Sequence, residues 1–165
     1  MPANPQQQSV DLLRETPLRL LGYSNEVGEA FRHVAPRFVG PSYAVAMVYC
    51  LADTVDKGKQ ANDRWAASPT QHKRVGFAAV DTMLWQTLAS VAIPGLVINR
   101  VVWATRNFTS GLAMKPKSIP VRWGPTALGL FVVPFIVHPI DDGVHWALDR
   151  STRPALESLL GLEPV

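Results

Sequence analysis

The chain has 165 residues, with 16 Lys and Arg against 13 Asp and Glu, so its formal net charge is +3. This length suggests one domain, and a mild positive charge without a dense basic block argues against nucleic acid as a partner. The single cysteine, Cys50, leaves no disulfide framework and no cysteine-based zinc site. Charged residues are absent from three apolar windows and collected between them, a pattern that predicts membrane-spanning helices.

An amphipathic segment is predicted over residues 1–36, ahead of the first window. Residues 1–9 lack the long apolar core of a secretory signal, and apolar residues recur at helical spacing from Ser9 onward. Such a helix either lies in the membrane surface or docks on the spanning helices. A second short helix is expected after Ser24 or Asn25, because both residue types cap helix amino termini.

Glu26, Glu29 and His33 follow this cap at positions i, i+3 and i+7 of the second helix. The spacing permits half of a metal site, and di-iron helical bundles use related arrangements. A second carboxylate–histidine set on a partner helix is not apparent, so we predict no metal site. The favoured interpretation is an acidic, solvated helix start in which Glu29 pairs with Arg32 or His33.

Three membrane spans are predicted, near residues 37–55, 78–99 and 123–140. The central one contains 18 residues, Thr82 to Asn99, without an ionisable side chain. At 1.5 Å per residue this stretch covers about 27 Å, close to the hydrocarbon thickness of a bilayer. The alternative is the central helix of a soluble bundle. Pro94 and Gly95 should loosen the hydrogen-bond ladder and bend the helix or end it early.

Polar and small residues mark one face of the central span. Gln86, Ser90 and Gly95 fall near that face, which suits close packing between helices in a membrane. Gly124 and Gly129 give the third span similar freedom to pack closely.

Basic residues alternate with aromatic residues in the second connection, 100–122, and the first connection, 53–74, is rich in basic residues and contains Trp65 as a candidate interfacial anchor. This mixture suits an anionic headgroup layer, such as a cardiolipin-rich membrane, and single-stranded nucleic acid is a lower-ranked rival. The predicted contacts with lipid or with a partner protein are Lys57, Lys59, Trp65, Arg100, Trp103, Arg106, Lys115, Lys117, Arg122 and Trp123.

Asp81, Gln86 and His138 are the predicted intramembrane polar residues. An ionisable residue inside a span suggests a functional role by default, so Asp81 is a candidate for proton or ion handling. The favoured interpretation is structural: Asp81 caps its helix or meets Arg74 of the same chain.

A cluster of titratable residues ends the third window, comprising His138, Asp141, Asp142 and His145. These side chains could form a metal or proton site. We favour a helix stop with an Asx-type turn, because Pro139 and the paired Asp residues are typical of turns. A terminal amphipathic segment is then expected over residues 141–165, with a break at Pro154.

These features predict an all-α integral membrane protein with about three transmembrane helices and short amphipathic helices at both ends. The 165 residues form a single membrane domain in this prediction. With three spans, the amino-terminal segment and the second connection lie on one side of the membrane and carry nine basic residues. The first connection and the carboxyl-terminal tail lie on the other side and carry seven. This difference favours an amino terminus on the negative-potential side.

Four sequence blocks resemble the mitochondrial fission process protein family and together cover most of residues 18–150. The two ends of the chain, residues 60–74 and His33 are not part of this resemblance. The blocks are Leu21 to Arg32 (LGYSNEVGEAFR), Asp56 to Lys59 (DKGK), matching positions between Val80 and Arg100 that include LASVAIPG and INR, and TALGL at 126–130 with Pro134 and HPID at 138–141.

The resemblance implies a small multi-pass protein of the mitochondrial inner membrane, with a role in mitochondrial division and inner-membrane organisation. It supplies no catalytic residue, and the sequence contains no nucleophile–base pair, phosphate loop or complete metal set, so we predict neither an enzyme nor a cofactor. Anionic inner-membrane lipids and other inner-membrane proteins are the expected partners. The alternatives are a structural accessory subunit of a respiratory complex or the ATP synthase, and a proton-coupled carrier that uses Asp81.

Overall fold

The computed structural model describes Leu13, residues 17–111 and residues 119–163. All regular secondary structure in these residues is helical. The predicted helix from Ser9 and the predicted lipid contacts Lys115 and Lys117 lie outside the described residues.

Six α-helices follow one another along the described chain. A 3-10 helix, Pro17–Tyr23, precedes the first, and another, Pro36–Phe38, precedes the second. The six are α1 (Ser24–Ala30), α2 (Val39–Arg64), α3 (Gln71–Gln86), α4 (Ile93–Gly111), α5 (Ile119–Arg150) and α6 (Thr152–Leu160).

Three helical segments are long and apolar enough to cross a membrane: Pro36–Arg64, Gln71–Gly111 and Val121–Leu160, with mean hydropathies of 1.3, 1.5 and 1.5. The predicted all-α fold with three membrane-length helices is therefore confirmed. Each segment exceeds the ~20 residues that a crossing needs. The extra length is polar and extends the helices beyond the apolar windows.

The long helices run antiparallel to their neighbours. Asp53 of α2 bonds to Gln86 of α3, and Asn62 near the end of α2 bonds to Gln71 at the start of α3. Residues 65–70 connect these two helices, and we call this side the hairpin end. At the opposite end α2 and α5 begin and α4 finishes.

The end of the third long helix differs from the prediction. It was expected to stop at His138–Asp142, but α5 continues through Pro139 to Arg150. A proline removes one helical hydrogen bond, and membrane helices tolerate that loss because neighbouring groups or local adjustments of the helix satisfy the freed carbonyl. Asp141 binds Arg19 at 2.6 Å instead of forming a turn. The break lies at Ser151, and Pro154 falls in the first turn of α6, where its missing N–H has little effect.

Pro94 lies beside a π-helical turn and not at a helix end. Residues Thr87–Ala92 are π-helical and join α3 to α4 in one continuous helix. The predicted loosening of the ladder is thus confirmed, and the early ending is wrong. Asn25 donates from its Nδ2 to the carbonyl oxygen of Val91 at 3.1 Å, which supplies a hydrogen bond to this irregular stretch.

Small residues bring the helices together in the core. A Cβ on Gly129 would lie 3.0 Å from Val102 and 3.2 Å from Ala30, so the predicted close packing at Gly129 is confirmed. Gly124 has no such neighbour among the described residues. Cys50 is buried beside Ala46 and Val91, as expected for a small apolar side chain. Large apolar side chains on the outer faces are exposed, among them Val48, Leu96, Phe131 and Phe135.

Candidate functional site: a polar interior and two charged ends

The short helix α1 lies against α2, α4 and α5 and directs three polar side chains inward. Asn25 and Glu26 are fully buried, and Glu29 is 2% exposed. The close approach of α1 to α2 depends on Gly28, because a Cβ at this position would lie only 2.8 Å from the Cβ of Ser42 on α2. The predicted solvated, acidic helix start is therefore wrong.

Glu29 accepts hydrogen bonds from three residues. Arg32 donates from Nε at 2.6 Å, and Tyr43 Oη and Asn99 Nδ2 both donate at 2.9 Å. Burial alone would raise the pKa of Glu29, but these hydrogen bonds outweigh it and lower the pKa. Glu29 is therefore ionised at neutral pH, and the predicted pairing with Arg32 is confirmed.

Glu26 has the opposite environment on the same helix. Neither carboxylate oxygen accepts a hydrogen bond from another described residue. Burial raises the pKa of Glu26 to about 8. This carboxyl group is consequently mostly protonated at neutral pH, so α1 carries one neutral and one charged acid in its buried face.

A second polar cluster joins α2 to the central long helix. Gln86 donates from Nε2 to Asp53 at 2.5 Å, and Ser90 donates to Gln86 Oε1 at 2.6 Å. All three side chains are buried. Buried polar groups of this kind are stabilising only when their partners are present. Gln86 is thus an interior polar residue, as predicted, whereas Asp53 was not recognised as one.

The two predicted ionisable residues of the spans, Asp81 and His138, lie in different environments. Asp81 binds Arg153 of α6, with its two oxygens 2.7 Å and 3.1 Å from Arg153 Nε and Nη2. The expected partner Arg74 was wrong, because α6 continues from α5 along α3 and brings Arg153 to Asp81. His138 is exposed, and His145 packs on the ring of Trp85 with centroids 5.1 Å apart.

No group of three or more His, Cys, Asp or Glu side chains within residues 17–111 and 119–163 could hold a metal ion. His33 turns away from Glu29, and its Nε2 lies 2.8 Å from the carbonyl oxygen of Arg122. The spacing of Glu26, Glu29 and His33 therefore does not bring them together.

Five of the predicted lipid contacts lie toward the end of the bundle that is opposite the hairpin end. We define a basic–aromatic collar there by Arg37, Phe38, Arg100, Trp103, Arg106, Phe108, Arg122 and Trp123. All eight side chains are exposed. Arg37 lies over the ring of Phe38 at 5.2 Å and Arg122 over Trp123 at 5.7 Å. Arg37, Phe38 and Phe108 were not among the predicted lipid contacts, and the structure adds them to the collar.

Two further predicted contacts, Lys57 and Trp65, line a cavity of about 270 Å³ near the hairpin end. Arg64, Arg74 and Arg153 also line it, and we call this cavity the basic pocket. Lys59 is exposed and lies outside it, in a shallow groove between α2 and α3. The charged predicted residues thus divide between two ends of the bundle.

Several interior residues escaped sequence reasoning, namely Asn25, Tyr43, Asp53, Asn99 and Arg153. Asp53 and Asn99 were detectable, because both lie within the predicted span boundaries. Asn25 and Glu29 are four positions apart on one helical face, a weaker signal. Arg153 gave none, since its position beside Asp81 depends on the fold.

Comparisons with known proteins identify relatives that match most of the chain. The family model described as Mitochondrial 18 KDa protein (MTP18) matches residues 55–148. A Caenorhabditis elegans protein named Mitochondrial fission process protein 1 is 50% identical over 148 residues, covering 87% of each chain. The human protein of that name is 49% identical over 144 residues, covering 87% of this chain and 86% of its own. The zebrafish (Danio rerio) one is 46% identical over 153 residues, covering 92% of each. No solved structure matches.

Proposed function

Because the chain belongs to the mitochondrial fission process protein family, we propose that it acts in mitochondrial division as a non-enzymatic, multi-pass protein of the mitochondrial inner membrane. There it contributes to the organisation of that membrane. The observation that supports this role most directly is the combination of three membrane-length helices with the basic–aromatic collar at one end.

The collar supports contact with anionic lipids such as cardiolipin. Exposed Trp and Tyr side chains anchor proteins at membrane–water interfaces, and each basic residue near an anionic surface contributes about 1 kcal/mol of attraction. Arg100 and Arg106 are exposed and form no ion pair with another described residue. Their charges are therefore available to headgroups.

The polar interior supports a role without catalysis. Glu29 is occupied by Arg32, Tyr43 and Asn99. Asp81 is likewise held by Arg153. Side chains with such partners stabilise the positions of helices and do not present a reactive group to a substrate. The contact between Asp81 and Arg153 also weakens the carrier hypothesis. An Asp81 carboxylate that is paired with an arginine is held in its charged form and is not free to take up and release a transported proton.

Depletion of the protein from cells is expected to lengthen and connect the mitochondrial network, because division slows while fusion continues. Re-expression of the natural chain should restore mitochondrial length, measured by light microscopy. A variant with both Arg100→Gln and Arg106→Gln should restore it less well, because about 2 kcal/mol of attraction to anionic lipid is removed.

The matched control carries Lys73→Gln and Arg150→Gln, which remove two exposed charges from the other end. It should restore mitochondrial length fully. Unchanged mitochondrial length after depletion would exclude the role in division. Extraction of the protein from mitochondria by alkaline carbonate would exclude the membrane location.

A structural accessory subunit of a large inner-membrane assembly is the second candidate. The third long helix favours it, because only 17% of its apolar window is buried, against 28% and 39% for the other two. Partner helices could cover this face as well as lipid does. Native gels in mild detergent distinguish the two: a fixed stoichiometry with a respiratory complex or the ATP synthase supports a subunit, and a small free oligomer supports the division protein.

A further inference from the structure

The basic pocket carries more positive charge than its own acid can neutralise. Four cationic side chains line it, and Asp81 is the one acid that lines it within the described residues. Arg153 is already bound to both Asp81 and Asp149. The other cations are Lys57, Arg64 and Arg74, and Lys57 lies 3.6 Å from Asp56. A surplus of positive charge in a cavity attracts an anion.

Arg74 is fixed in position by its neighbours, but one N–H group of its side chain has no hydrogen-bond acceptor. The group lies 4.7 Å over the ring of Trp65, and its Nη2 donates to the carbonyl oxygen of Glu163 at 2.9 Å. Its Nε is buried and has no acceptor among the described residues. A buried donor without an acceptor costs about 1–3 kcal/mol, and an anion that accepts from Nε would remove that cost.

Arg64 supplies a second available charge. This side chain is exposed and has no ion-pair or hydrogen-bond partner in the described chain. It lies in the last turn of α2 and lines the pocket together with Arg74 of α3. Two guanidinium groups on different helices can bind the same tetrahedral anion, because each presents a planar set of donors suited to phosphate oxygens.

The height of the pocket matches the headgroup layer of a bilayer. Asp53 and Asp81 end the uncharged runs of α2 and α3. Lys57 is one helical turn beyond Asp53, roughly 6 Å, and Arg74 is seven residues from Asp81, roughly 10 Å. A headgroup layer extends roughly 5–8 Å from the hydrocarbon, so Lys57 lies within it and Arg74 just above it. Arg64 is eleven residues beyond Asp53, roughly 16 Å along α2, and lies on the aqueous side of this layer.

We propose that the basic pocket binds a phosphate group, which Arg64 and Arg74 contact from two sides. A volume of about 270 Å³ is below the roughly 300–1,000 Å³ of pockets for drug-sized molecules, so a compact anion fits. The phosphate belongs either to an anionic lipid or to a soluble phosphate ester. This inference requires the proposed membrane location and is independent of the role in division.

The test uses the full-length protein in nanodiscs of phosphatidylcholine. One arm adds cardiolipin to the bilayer, and the other keeps the neutral bilayer and adds glycerol 3-phosphate. Binding is measured by the rise in unfolding temperature and by native mass spectrometry. Stabilisation by cardiolipin alone assigns the site to a lipid, and stabilisation by glycerol 3-phosphate assigns it to a soluble ester.

Arg64→Gln should weaken binding about tenfold, the loss expected for one charge-assisted contact. Arg74→Lys keeps the charge but removes the Nε donor, and it should weaken binding to a similar extent. Arg150→Gln is the matched control, because this exposed arginine lies over Trp146, at 4.6 Å, and outside the pocket. Equal losses in Arg64→Gln and Arg150→Gln, or no binding in either arm, would overturn the inference.

Discussion

Replacing Glu26 with glutamine is expected to stabilise the protein at pH 7–8 and to remove most of the pH dependence of its unfolding between pH 5 and pH 8. The physical reason is the burial of this carboxyl group without an external hydrogen-bond donor. Glutamine has nearly the same shape and carries no ionisable proton. It therefore reproduces the neutral form of Glu26 at every pH.

The direction follows from the two pKa values of Glu26. Burial raises its pKa to about 8 in the folded chain, against about 4.3 for an unfolded glutamate. Between these values the folded chain holds a proton that the unfolded chain has released. The contribution of Glu26 to the free energy of unfolding is fully present below pH ~4.3. It is lost as the pH rises to about 8, at up to about 1.4 kcal/mol per pH unit. At pH 8 the loss amounts to a few kcal/mol.

Thermal unfolding in detergent at pH 5, 6.5 and 8, followed by circular dichroism, measures this difference. The unfolding temperature of the natural chain should fall with rising pH relative to that of Glu26→Gln. Other titrating groups are common to both proteins, so the difference isolates Glu26. Equal pH dependence in the two proteins would show that Glu26 stays charged or becomes hydrated in the fold.

Glu29→Gln is the matched control, because it makes the same change one turn away on α1. Glu29 is ionised and accepts from Arg32, Tyr43 and Asn99. Loss of its charge leaves Arg32 without its carboxylate partner and places an amide group among donors. We expect destabilisation of about 2–4 kcal/mol at neutral pH, opposite in sign to the effect at Glu26.

Gly28→Ala is expected to destabilise the protein by about 1–3 kcal/mol, the usual cost of inserting a methyl group into a closed packing. The new Cβ would overlap Ser42 Oγ and lie 2.8 Å from Ser42 Cβ. Rotation of the hydroxyl relieves the first overlap but not the second. The helix α1 must therefore move away from α2, which lengthens the hydrogen bonds of Asn25 and Glu29.

Gly76→Ala provides the control for Gly28→Ala. Gly76 lies within α3, and a Cβ there would meet nothing within 4 Å. Alanine favours the helix over glycine by up to about 1 kcal/mol, so this variant should be slightly more stable than the natural chain. The same unfolding measurement in detergent serves both. A gain of stability in Gly28→Ala would mean that α1 does not pack on α2 as described.

The three membrane-length helices were predictable because expulsion of charge from the apolar windows is a local property of the sequence. The full lengths of these helices were not, since residues 56–64 and 71–74 are polar and give no hydropathy signal. The role of α1 was missed for a related reason. Glu26 and Glu29 are typical of a solvated helix start, and only the packing of α1 against other helices, where Tyr43 and Asn99 bind Glu29, shows that they lie inside.

The division of charged residues between two ends was predictable only in part. Exposed arginines beside Trp103 and Trp123 follow from the composition of the second connection. The basic pocket depends on the path of α6 along α3, which brings Arg153 to Asp81. The break before α6 lies at Ser151, three residues ahead of the expected break at Pro154. The helix against which α6 packs after that break depends on the fold, so the pocket was not predictable.

The π-helical turn at Thr87–Ala92 gives the central helix two differently phased halves. One wider turn contains one more residue than an α-helical turn, so side chains after it point about one position away from where an unbroken helix would direct them. Gln86 can then face Asp53 of α2, while Ile98 faces Ala30 of the short amino-terminal helix. The central helix therefore packs against two separate interior clusters, one on each side of the π-helical turn. The direction in which its side chains point, more than their hydrophobicity, decides which neighbouring helix each half contacts.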